Sequence, residues 1–331
     1  MFKRLGLYLQ HDLPLPEAIR LVQYAELRGF ESVWQSERIL ARDAFVALTA
    51  FAATTTRIKL GTAVIDAWTR NAGLLATTLL TLDDLAPDRI ICGIGAWTDR
   101  EAARVGIDRQ RPLLAMRELA VALRTLLSGK PYSRHGEFVN LNNAALEMLA
   151  ERREARRIPI VFAGTAPKTL ALAGEIADGV LLNYLVTPGL SAAAVEELRK
   201  GAHTAGRTVE FIDRPQLIAC AVHRNRARAF DDARRFVAGA CLSQPTLMHA
   251  NGVSTYLLDE IARIDRESGF DSAYVLVPDE ILISVTACGT PDDARRKVAD
   301  YLDAGATSPV LVPLCEDVRL MIDVFTDPFL V

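Results

Sequence analysis

The 331-residue sequence is poor in the residues that several function classes need. It has 5 cysteines, Cys92, Cys220, Cys241, Cys288 and Cys315, scattered and without a C-x-x-C pair. That spacing excludes a disulfide framework or a thiolate metal site and predicts buried free thiols in a reducing compartment. The 5 histidines, His11, His135, His203, His223 and His249, are dispersed. A metal-dependent hydrolase needs clustered ligands, so no metal is expected. No stretch approaches about 18 unbroken apolar residues, and the apolar part of the opening MFKRLGLYLQHD is too short for a signal peptide. A cytoplasmic protein without a membrane partner is the expectation. Charge of one sign is also lacking: the formal net charge is −3. No electrostatic footprint for nucleic acid follows from it. Arg152-Arg153 and Arg156-Arg157 are interleaved with Glu and read as a solvated helix face.

What is present is ordinary globular material, 50% hydrophobic and 24% charged. Short apolar runs alternate with amphipathic stretches. Strands are predicted at 5–10, 32–37, 57–65, 89–96, 158–164, 179–185, 215–222 and 309–314. Helices are predicted at 14–29, 43–56, 72–85, 111–128, 167–177, 191–205, 226–240, 291–305 and 317–325. Asp43 suits an N-cap, Gly29 a helix C-terminus, and Gly129 a stop. Near-continuous apolar strands alternating with helices mean a parallel sheet covered on both faces. Eight such units in one chain of this length predict a closed (β/α)8 TIM barrel. We read residues 1–331 as a single domain with insertions at about 130–157, containing a short hairpin, and about 243–288, mostly helical.

In such a barrel the chemistry lies at the C-terminal ends of the strands. Four stretches there carry it. In "RIKLGTAVIDAWTRN" (57–71) an apolar strand runs into Asp66, Trp68 and Arg70 instead of an ordinary turn, as if its end held something. "CGIGAWTD" (92–99) lacks the third glycine and the position of a dinucleotide fingerprint. Gly93 and Gly95 instead let a flat group approach the backbone. "VFAGTAPKTLALAGEIADG" (161–179) ends a strand in Gly164-Thr165-Ala166 before a helix starting at Pro167. Free N–H groups and the helix dipole there favour an anion, although Thr165 could equally serve as a plain cap. "VWQSERILARD" (33–43) places Ser36, Glu37, Arg38, Arg42 and Asp43 past the second strand, either as a surface ion pair or as an acid and anion anchor.

With these stretches the chain resembles the luciferase-like superfamily of flavin- and deazaflavin-dependent oxidoreductases. It is most similar to the branch around methylenetetrahydromethanopterin reductase, which uses coenzyme F420. "AELRGFESVWQSE", "TLDDLAPDRIICGIGA", "RPLLAMRELAVALRTLLSGK", "VFAGTAPKTLALAGEIADGVLLNYLV" and "ACGTPDDARRKVADYLDAGAT" carry the resemblance along with the third strand. It implies the same barrel, in its bacterial-luciferase-like form. It implies a non-prolyl cis peptide at Ala63–Val64, backing the cofactor ring. Gly164, Thr165 and Ala166 would hold the cofactor phosphate, Asn183 would line the tail, and Gly95 would lie along ring or tail. Ser36 and Glu37 match the pair near the reacting edge. Glu37 is the candidate proton donor, with Arg38 and Trp97 shaping the substrate side. Departures from the family pattern, at Tyr8, Arg38, Asp66-Ala67-Trp68 and Trp97, speak against methanopterin itself as substrate. The implied activity is hydride transfer between reduced F420 and an organic C=N or C=C acceptor, a small molecule. An FMN-dependent monooxygenase and a non-catalytic flavin-binding barrel are the alternatives. A homodimer or homotetramer is expected. Trp34, Trp68 and Trp97 are all expected near the barrel mouth.

Overall fold

The structure is a computed structural model that describes residues 2–10, 12–148 and 155–327. His11, Arg152-Arg153 and part of the first insertion lie outside the described residues. The strands are β1 Gly6–Leu9, β2 Ser32–Gln35, β3 Lys59–Thr62, β4 Ile65–Asp66, β5 Ile90–Gly95, β6 Tyr132–His135, β7 Asn140–Ala144, β8 Ile160–Ala163, β9 Gly179–Leu181, β10 Pro215–Val222, β11 Ala287–Gly289 and β12 Ser308–Pro313. Among the described residues the main sheet runs β11-β10-β12-β1-β2-β3-β5-β8-β9, with β4 on β5. Every pairing in it is parallel. Two hydrogen bonds just past β9 close the ring: Leu182 N–H to Pro215 O at 2.8 Å, and Leu217 N–H to Leu182 O at 2.9 Å. The fold is a (β/α)8 barrel, and the expected strands are all present.

Period-two alternation sorts the strand residues. Tyr8, Trp34, Ala63, Val161, Leu181, Leu217, Val310 and Val312 fill the barrel interior. Their neighbours Leu7, Leu9, Val33, Leu60, Ile218 and Leu311 face outward into the layer beneath the helices. Trp34 corrects one expectation. Its indole Nε1 donates to Ser32 Oγ at 3.0 Å, and a Cβ on Gly61 would lie 2.5 Å from its ring. The ring therefore points down the barrel toward Arg4 and Glu31, at the N-terminal end, rather than into the mouth.

Local signals act as read. Asp43 accepts from Val46 N at the start of helix Ala44–Thr54. Gly29 (φ 86°) and Gly129 (φ 77°) follow the ends of helices Leu15–Leu27 and Pro112–Leu127 in a backbone region where a side chain is strained. The first insertion contains an antiparallel hairpin of β6 and β7. The second is helical as expected, with helices Pro245–Ala250, Thr255–Ser268 and Asp279–Val285, but it also delivers the short β11 against the end of β10. No periodicity signals a strand of that length.

The hairpin is held by one buried carboxylate. Glu118, in helix Pro112–Leu127, accepts from the backbone N–H of Glu137 (3.3 Å), Phe138 (2.9 Å) and Val139 (3.0 Å). Burial pushes its pKa up, but the three N–H bonds and the nearby Arg134 outweigh burial and hold it below the usual range. This contribution is full above the ordinary glutamate pKa and is lost as pH falls through the lowered folded value. Glu118→Gln is expected to cost about 1–3 kcal/mol at neutral pH. Urea titration at pH 7 and pH 3 checks it: the gap between variant and parent closes at the lower pH.

The thiols are inert. All five described cysteines are buried and free. Burial pushes Cys92 up to about 12 and Cys241 up to about 11. Among the described residues no helix is long and apolar enough to cross a membrane.

Candidate active site

The strand ends build a cleft of about 380 Å³ lined by Ser36, Glu37, Arg38, Ala63, Val64, Gly95, Trp97, Gly164, Thr165 and Asn183. Of the candidate residues only Ala166 stays off its wall, and it forms the N-cap of helix Pro167–Ile176. A second cavity of about 690 Å³ meets the first at Thr98, Gly164, Thr165 and Asn183. Gly164 and Thr165 therefore sit at a seam between two open volumes, with Ala166 next in the chain. Helix Pro167–Ile176 begins there without any side-chain cap. The alternative role of Thr165, plain capping, is not what the structure shows. The residues fit a phosphate: an uncapped helix start, small side chains and a free hydroxyl face the seam.

The floor comes from the break between β3 and β4. The Ala63–Val64 peptide bond is cis. Thr62, fully buried, ties this break to β5: its Oγ1 donates to Gly93 O at 2.9 Å and accepts from Gly93 N at 2.8 Å. Val64 then covers Gly93 and Gly95, whose missing side chains leave room for it. The odd residues after the strand have a separate explanation. Asp66 accepts from Trp68 N (2.7 Å) and Thr69 N (2.8 Å), closing a turn that turns Trp68 into the helix-side core. Trp68 thus leaves the cleft, and of the three tryptophans only Trp97 lines it.

Arg70, at the end of that turn, reaches back to β2. Its guanidinium lies 3.0 Å from Glu37 and 2.9 Å from Asp43, and stacks on Phe45 at 4.8 Å. Burial lowers its pKa, but the two carboxylates outweigh burial and raise it. Glu37 also accepts from Ala44 N at 2.9 Å. Its carboxylate is thus engaged at the start of helix Ala44–Thr54.

Two residues that sequence reading did not name as catalytic join the cleft. Tyr8 and Tyr184 meet edge to face, ring centroids 6.4 Å apart. Burial raises the pKa of both phenols, and the Ser36 hydroxyl is a side-chain partner of Tyr8. Glu101 also lines the cleft, with its carboxylate accepting from Thr98 N and Oγ1, both at 3.0 Å. Tyr8 stood out in sequence only as a departure from a family glutamate; nothing local marked Tyr184 as its partner.

A family model described as luciferase-like monooxygenase matches residues 2–308. The chain belongs to that family. Among relatives, it is 29% identical over 303 residues to the 5,10-methylenetetrahydromethanopterin reductase of Methanolobus tindarius, covering 90% of this chain and 91% of the relative. It is 30% identical over 300 residues to the F420-dependent glucose-6-phosphate dehydrogenase of Kineococcus radiotolerans, covering 86% and 82%. The F420-dependent tetrahydromethanopterin reductase structure from Methanopyrus kandleri superposes with a TM-score of 0.89 at 25% identity, covering 100% of both chains. This member of the luciferase-like monooxygenase family therefore shares its barrel over the whole length with a reductase.

Proposed function

We propose that the protein is an F420-dependent oxidoreductase that transfers hydride between reduced F420 and the C=N or conjugated C=C group of a small organic acceptor. The observation that carries this reading is the seam at Gly164-Thr165-Ala166. There an uncapped helix start joins the 380 Å³ cleft to a second open volume, and its residues would hold the phosphate of the cofactor's side chain. When bound, the deazaflavin supplies the two-electron hydride chemistry. The chain's own residues orient and exclude water. Ala63, Val64 and Gly95 would hold the ring, and Asn183 would hold its side chain. Ser36, partnered with Tyr8, would lie on the reacting side. Glu37, committed to Arg70 and Ala44 N–H, holds segment 36–43 in place in this reading rather than giving a proton. Catalysis then rests on holding donor and acceptor carbons in contact.

The test is a titration of the full chain with F420 and, separately, with FMN, followed by tryptophan fluorescence. Trp34 and Trp68 are turned away from the cleft, so the signal should vanish in Trp97→Phe. F420 is expected to bind at micromolar concentration and FMN at least about tenfold more weakly. Preference for FMN would replace the F420 reading with a flavin monooxygenase. F420 binding without turnover of any C=N or C=C acceptor would leave a non-catalytic binder.

We also place the protein in the cytoplasm, where its thiols stay reduced, and read it as a homodimer or homotetramer. Val46 and Leu74, 63% and 70% exposed in the first turns of two helices that touch, support self-association. Light scattering of the parent and Leu74→Asp measures it: a monomeric parent would remove the proposal.

A further inference from the structure

Three arginines that follow β2, β4 and β5 in the chain stand in different states. Arg70 is paired with Glu37 and Asp43, and Arg109 with Asp99 at 2.9 Å. Arg38 lines the cleft and also the adjoining groove over segment 37–43, yet forms no ion pair among the described residues. Its backbone is fixed: Arg38 N donates to Arg42 O and Arg42 N to Arg38 O, both at 3.0 Å. Only the guanidinium end is unassigned, and it is exposed.

Two carboxylates also line the cleft, and each has a partner of its own. Glu37 is held by Arg70 and by Ala44 N–H, and Glu101 by the Thr98 cap. Beside them the Arg38 guanidinium and the phenols of Tyr8 and Tyr184 line the same volume, with the Ser36 hydroxyl as partner of Tyr8. Burial raises both phenols, so they keep their protons at neutral pH; the Arg38 charge acts on each, and the Glu101 charge acts on Tyr184. Aromatic rings line the cleft beside these groups, the edge-to-face Tyr8–Tyr184 pair and Trp97. An unpaired guanidinium beside aromatic side chains matches a planar anion. A carboxylate offers a guanidinium two parallel charge-assisted bonds, which a neutral group cannot.

We propose that the acceptor carries a carboxylate beside its conjugated double bond, and that Arg38 is the residue that selects it. This rests on the cofactor reading of the same cleft. The carboxylate docks on Arg38, the phenols of Tyr8 and Tyr184 donate to its remaining oxygen sites, and the conjugated part lies between the aromatic walls. Neutral acceptors of the same shape lose the guanidinium and bind less tightly.

The experiment is calorimetric titration of the full chain with trans-cinnamate and with its neutral isostere cinnamamide, with and without F420. The parent, Arg38→Gln and Arg38→Lys are compared. The parent is expected to hold cinnamate at least about tenfold more tightly than cinnamamide. Arg38→Gln should erase that ratio while leaving cinnamamide and F420 within about twofold of the parent, and Arg38→Lys should restore part of it. A ratio near one in the parent overturns the proposal. So does an equal loss of both ligands in Arg38→Gln, or a loss of F420 binding with the ratio intact. If F420 fails to bind the parent while the ratio and its loss in Arg38→Gln persist, the cofactor reading falls and the carboxylate site stands.

Discussion

Thr165→Asp is expected to weaken F420 binding at least about 100-fold while leaving binding of a phosphate-free deazaflavin unchanged. Thr165 is exposed at the seam, next to the uncapped start of helix Pro167–Ile176. The helix dipole and free N–H groups there favour one anion. An aspartate supplies that anion from the chain, occupies the N–H groups and repels the phosphate. Position 165 is exposed and lies one residue before the N-cap Ala166, so thermal stability should hold. That separates loss of binding from loss of fold. The measurement is a pair of titrations, one with F420 and one with the ring lacking its phosphorylated side chain. Equal effects on both ligands would show that the phosphate sits elsewhere.

The largest effect on stability is expected from Gly93→Ala, about 3 kcal/mol or more. A Cβ on Gly93 would overlap the Thr62 carbonyl oxygen and lie 3.0 Å from Val64 Cγ1 and 3.1 Å from Thr62 C. Most such overlaps are relieved by a rotating side chain. Here the obstacle is backbone, and the two hydrogen bonds between Thr62 Oγ1 and Gly93 hold the strands at that separation. Moving them apart breaks a buried pair of bonds and displaces Val64 from the cleft floor. Urea denaturation reads the stability, and F420 titration reads the floor. Gly239→Ala is the control, since that helical glycine has nothing within 4 Å. It should be neutral or gain about 0.5–1 kcal/mol. Similar behaviour of the two variants would mean that β3 and β5 are not locked together.

Much of the barrel was legible because of how parallel strands are buried. Both faces of β10 are covered, so PQLIACAV is apolar from end to end and cannot be mistaken for a surface strand. Caps and stops such as Asp43 and Gly129 act within one turn, so their signals are local. The strand end, small-residue turn and helix start at 163–167 were legible for the same reason, lying in one continuous stretch.

The roles of individual side chains were less legible. Glu37 next to Arg38 in the sequence suggested a local acid and anion anchor. In the fold Glu37 pairs with Arg70, 33 positions away, because the turn closed by Asp66 returns the chain to β2. Alternation placed Trp34 inside the barrel, but its depth depends on how β2 is staggered against β1 and β3 and on the space Gly61 leaves. Tyr8 and Tyr184 come from β1 and from the segment after β9, and they meet only because the ring closes through Leu182. The sequence by itself determined the strands, the helices, the barrel and the turn from β8 into the helix at Pro167, since burial period and helix termini are written within a few neighbouring residues. Tertiary structure alone decided which acids are committed, which arginine is left over and which aromatics line the cleft. Those are questions of which partner a side chain reaches first, and the partners lie tens to hundreds of residues apart.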